Sequence, residues 1–107
     1  MKLDAQQRAE RLRLHGLVQS LSYVVRLNDP KTAQHLRARL ALALRSPVGL
    51  TKRLRDELEE LFELSGEWVR NMGDRRDVKG KIQQLNRRII PRLKGPLMPR
   101  KSDGLKD

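Results

Sequence analysis

The sequence predicts an all-α protein, a small bundle of three to four amphipathic helices with an extended basic C-terminal tail. Three observations carry that expectation. Apolar residues recur at spacings of three and four, the period of one helix face. Leu, Ala and Arg, all strong helix formers, dominate the periodic stretches. Breaker clusters at Asn28-Asp29-Pro30, Ser46-Pro47-Val48-Gly49 and Gly73-Asp74 cut the chain into four segments. Residues 1–94 are expected to form the bundle and residues 95–107 the tail.

In the first segment Leu14, Leu17, Val18, Leu21, Val24 and Val25 mark one face of a helix. The turns from Asp4 to Arg13 are polar apart from Leu12 and alanines and are expected to project into solvent. Gly16 interrupts the pattern, at a cost of about 1 kcal/mol relative to Ala, and marks either a bend or a close helix approach. The second segment starts at Pro30, pre-organised for the first helical position, with Asn28 or Asp29 as cap. Ala33, Leu36, Leu40, Ala43 and Leu44 form its inner face. The run Leu40 to Leu44 is apolar nearly all round, so this helix is expected to be the most buried.

The third segment is the longest. Leu54, Leu58, Leu61, Phe62, Trp68, Val69 and Met72 fall on one stripe, which Ser65 and Gly66 interrupt. Its outer face carries Asp56, Glu57, Glu59, Glu60, Glu63 and Glu67, with i,i+4 pairs expected at Lys52–Asp56, Arg53–Glu57 and Arg55–Glu59. The fourth segment opens on Asp74 as cap with Asp77 three residues on, a variant of the capping box. Val78, Ile82, Leu85 and Ile89 form its inner face, and Pro91 is expected to end or kink it near Ile90. Short connections between such helices imply an up-down bundle or a pair of helical hairpins.

Composition bounds the function. A chain of 107 residues holds one domain. No apolar run approaches the roughly 18–20 residues of a membrane span. Met1 to Gln7 shows no apolar signal-peptide region, and a cytoplasmic protein is expected. The absence of cysteine excludes disulfides, thiolate catalysis and cysteine-based zinc sites. Leu, Ile, Val and Phe supply 29 of the residues, above the roughly 20% below which a highly charged chain stays disordered.

The net charge of +11 is unevenly spread. Residues 47–73 hold four positive and six negative side chains, whereas residues 74–107 hold eleven and four, net +7. That last third carries Arg75, Arg76, Lys79, Lys81, Arg87, Arg88, Arg92, Lys94, Arg100 and Lys101, the candidate contacts to nucleic-acid phosphates, DNA or RNA. Cations near the end of the fourth helix also complement its dipole, which gives Arg87 and Arg88 a structural rationale too.

Other constellations are weak. A helix-turn-helix over Leu36 to Leu58 would place the acidic stretch of its second helix against phosphates, so a plain helical hairpin fits better. His15 and His35 read as surface histidines, and the acidic stripe reads as a solvated face with no metal. Trp68 and Tyr23 lie on or beside apolar stripes and are expected in the core. No Walker loop, HExxH or nucleophile elbow is present, so neither enzyme activity nor a cofactor is expected.

The expected function is a nucleic-acid-binding accessory or regulatory protein that grips backbone phosphates. The alternative is a small adaptor or inhibitor docking on a larger nucleic-acid-processing protein such as a nuclease, helicase or polymerase. There Leu97, Met98 and Pro99 would form the partner anchor, beside the acidic third helix. A homodimer is compatible with the interrupted third stripe, and a membrane partner is not expected.

Overall fold

The computed structural model describes residues 5–45 and 50–94, without the side chain of Lys94. The chain is all-α. The described residues form four helices, α1 (Ala5–Arg26), α2 (Pro30–Arg45), α3 (Lys52–Arg70) and α4 (Arg76–Lys94). Each helix packs on its neighbours in sequence, and α4 closes the ring against α1. Hydrogen bonds near both ends of these pairs fix their sense. Arg11 near the start of α1 meets Arg92 near the end of α4, whereas Lys79 meets Arg26. Likewise Arg37 of α2 meets Phe62 and Arg55 meets Leu44. The result is an antiparallel up-down-up-down bundle, with α2 and α3 paired along their length as a hairpin.

The core is aliphatic around one aromatic. Leu14, Val18, Leu21 and Val25 of α1 and Leu54, Leu58 and Leu61 of α3 meet Ile82, Leu85 and Ile89 of α4, and Trp68 is fully buried among them. Tyr23 departs from expectation. It is 54% exposed, and the Arg26 guanidinium lies 5.6 Å from its ring centre.

Two of the turns are built alike. After α1, Asn28 adopts φ 57° while Asp29 N–H donates to the Val24 carbonyl and Asn28 N–H to that of Val25. After α3, Met72 adopts φ 55°, Gly73 N–H donates to Trp68 and Met72 N–H to Val69. Both are Schellman ends, which satisfy the last carbonyls through a left-handed residue. Gly73 itself sits at φ 79°, against the Trp68 ring, where a Cβ would come within 3.2 Å of Cζ2. Asp29 then caps α2: its carboxylate accepts from Thr32 N–H at 3.2 Å and from the Thr32 hydroxyl at 2.7 Å.

Several sequence expectations need correction. The start of α1 does not simply project into solvent, because Arg11 is buried and donates to the Arg92 carbonyl at 3.0 Å. Nothing lies within 4 Å of a Cβ placed on Gly16, so no close helix approach explains that residue. Helix α2 is not the most buried: Leu42 is 61% exposed. Alternation on a helix turns Leu42 about 200° away from Leu40 and from Leu44. Met72 leaves the α3 stripe because it occupies the left-handed turn, where it is exposed.

Pro91 does not end α4, which runs on to Lys94. Burial of Leu93 and the bond from Arg11 to the Arg92 carbonyl hold the turn beyond the proline. At the start of that helix, Arg75 and not Asp74 is the residue before the first turn, its carbonyl accepting from Lys79 N–H. Asp77 is drawn to the Arg75 guanidinium at 2.8 and 3.0 Å in place of a capping box.

Candidate nucleic-acid interface

The cations of α4 divide by where the helix turns them. Its inner ridge of Val78, Ile82, Leu85, Asn86, Ile89 and Leu93 is buried. Successive residues lie about 100° apart around a helix, so the remaining side chains emerge on the α1 flank, the α3 flank or outward. On the α3 flank, Arg92 pairs with Glu57. Arg75, just before the helix, pairs with Glu67 at 3.1 Å and with Asp77. These contacts hold the Arg75 charge above the ordinary guanidinium range, chiefly through the Asp77 hydrogen bond. On the α1 flank, Lys79 donates to the Asn28 side-chain oxygen at 3.0 Å and lies 3.4 Å from the Arg26 carbonyl. It thereby neutralises the negative end of α1.

Four of the predicted cations remain available. Arg76, Lys81, Arg87 and Arg88 are exposed and make no ion pair or side-chain hydrogen bond among the described residues. Arg76 and Arg87 share one side of the helix, eleven residues and about 16 Å apart, while Lys81 and Arg88 lie toward α3, about 10 Å apart. The Lys94 side chain, Arg100 and Lys101 lie outside the described residues, as do Leu97, Met98 and Pro99 of the expected partner anchor.

Arg87 also borders a groove of about 550 Å³ between α1 and α4. Its charged lining is Arg26, Lys79 and Arg87, with no carboxylate. The groove between α2 and α3 is the reverse: Asp56, Glu59, Glu60 and Glu63 line it, without a cation. Because the helices follow one another around the ring, these grooves occupy opposite sides of the bundle. The two grooves thus carry opposite charge on opposite sides of the bundle.

Sequence reading missed Arg26, Ser22, Gln83 and Asn86 of the basic groove. Ser22 and Gln83 clasp α1 to α4, the Ser22 hydroxyl donating to Gln83 at 2.9 Å and the Gln83 amide returning to the Ser22 carbonyl at 3.2 Å. Asn86 was detectable as the one polar residue on the Ile82–Asn86–Ile89–Leu93 ridge. Arg26 carried no signal, since only the antiparallel return of α4 brings it beside Lys79 and Arg87.

The expected i,i+4 pairs of α3 hold in two cases, Lys52–Asp56 at 3.1 Å and Arg55–Glu59 at 3.4 Å. In the third, Glu57 turns to Arg92 on α4. Among the described residues no helix is long and apolar enough to cross a membrane. Comparison with protein-family models, curated proteins and solved structures finds no match to the chain.

Proposed function

We propose that this protein binds nucleic acid, DNA or RNA, as an accessory or regulatory factor without catalytic chemistry of its own, gripping backbone phosphates through the basic face of α4. The observation that carries this reading is the set Arg76, Lys81, Arg87 and Arg88, exposed cations that make no ion pair or side-chain hydrogen bond among the described residues. Uncompensated like charges on one helix destabilise a compact state. A polyanion offsets that cost and releases counterions on binding. The carboxylates of α3 that line a groove lie on the opposite side of the bundle from the α1/α4 groove that Arg87 borders.

The test is the salt dependence of binding to labelled DNA and RNA. Affinity should fall steeply with ionic strength, and Arg87→Ala with Arg88→Ala should flatten the log–log slope by about 0.9 per lost duplex contact and about 0.7 per lost single-strand contact. Arg75→Ala, which removes an internally paired cation, should leave the slope nearly unchanged. Absence of binding to both nucleic acids, or binding indifferent to salt, overturns the reading.

A further inference from the structure

We infer that the α1/α4 groove seats one nucleotide of a single strand, its phosphate on Arg26 and Arg87 and its base edge on the Asn86 amide. This rests on the nucleic-acid reading above and adds to it a specific site and a strand preference. The key observation is Asn86. It is 1% exposed and lines the groove, yet neither its Oδ1 nor its Nδ2 has a hydrogen-bond partner among the described residues. A buried amide left unpaired is costly on both its donor and its acceptor. Leucine at this position would continue the apolar ridge, so the fold itself does not call for the amide.

The unpaired pair selects the ligand. A phosphate offers only acceptors and would satisfy Nδ2 but not Oδ1. A nucleobase presents a donor and an acceptor side by side, which a carboxamide meets in two bonds at once. Around the amide the groove supplies the other surfaces a nucleotide needs. Arg26 and Arg87 offer their charge to the phosphate, and Ile90 and Pro91 give an apolar surface for the ring. Its volume lies within the roughly 300–1,000 Å³ of small-ligand sites.

Reaching the amide takes rotation of Asn86 or of Gln83 and Ile90, which line the groove beside it. A base held within a duplex cannot enter such a groove, whereas an unstacked base of a single strand can.

The experiment compares fluorescence anisotropy of mixed-sequence single-stranded DNA and RNA oligonucleotides with that of the matching DNA duplex, at one salt concentration. The native protein should bind single strands more tightly than duplex. Asn86→Leu should weaken single-strand binding about tenfold and leave duplex binding within twofold. Independently of any variant, the Asn86 side-chain amide resonance of the native protein should shift on adding single strand and stay in place with duplex. If both nucleic acids bind but the resonance does not move, or a folded Asn86→Leu protein binds single strands as before, the groove is not a nucleotide seat and the phosphate grip of α4 still stands. If neither nucleic acid binds, both readings fall together.

Discussion

Arg37 shows how one side chain explains an irregularity in another helix. Its Nε and Nη2 donate to the Phe62 carbonyl at 3.1 and 3.0 Å, Nε also reaches the Ser65 hydroxyl at 3.1 Å, and the guanidinium lies 4.1 Å from the Phe62 ring centre. Ser65 and Gly66 break the α3 stripe to make room for it: a Cβ on Gly66 would fall 2.4 Å from Arg37 Nη2. Desolvation lowers the Arg37 pKa, and the nearby Arg70 adds to this. Such a group is held by its hydrogen bonds. Gly66→Ala should therefore lose about 2 kcal/mol of charge-assisted hydrogen bonding and regain about 1 in helix propensity, a net destabilisation. In an Arg37→Ala background the sign should reverse, and Gly66→Ala should stabilise by about 1 kcal/mol. A double-mutant cycle in denaturant measures this coupling, and additive effects would show that the guanidinium does not fill the notch.

At the scale of the helix, the ends are where carboxylates matter. Asp29 caps α2, and the Thr32 side-chain and backbone bonds hold its pKa below the ordinary carboxylate value. Asp77, in the first turn of α4, is held well below that range, first by the Arg75 hydrogen bond. A carboxylate with a lowered folded-state pKa contributes stability that is fully present above its unfolded value, about 3.9. That contribution is lost as pH falls through the folded-state pKa. The thermal midpoint followed by circular dichroism should thus be flat above about pH 5 and decline in acid. The Asp29→Asn, Asp77→Asn double variant should decline less. An equal acid slope in the variant would assign the loss to other carboxylates. Helix ends were only partly readable from sequence. Pro30 announced the start of α2, but that Arg75 and not Asp74 precedes α4 shows only in the backbone, where the Arg75 carbonyl accepts from Lys79 N–H.

For the whole molecule, the unused cations set a balance between stability and binding. Arg76, Lys81, Arg87 and Arg88 repel one another on one helix and make no ion pair or side-chain hydrogen bond among the described residues. Changing all four to Gln should raise the thermal midpoint at low ionic strength while weakening nucleic-acid binding. Added salt should narrow the gap between variant and parent, because screening removes the same repulsion. A variant that melts lower than the parent would mean that these side chains support the bundle.

The inner faces of α1, α3 and α4 could be read directly from sequence. Leu14 to Val25, Leu54 to Leu61 and Val78 to Ile89 follow a period that water imposes on any helix with one side to bury. Regional charge was equally plain, because it is a sum over residues and needs no geometry. Tertiary structure alone decided which cations are used and which are left over. Arg75 and Arg92 are neutralised by Glu67 and Glu57 across the α3/α4 seam, and Lys79 by the end of α1. It also decided that α4 passes Pro91, since burial of Leu93 lies beyond any local rule. An ion pair or a shared groove depends on distances between segments far apart in the chain. Those distances exist only once the antiparallel ring has closed and set α4 against both α1 and α3.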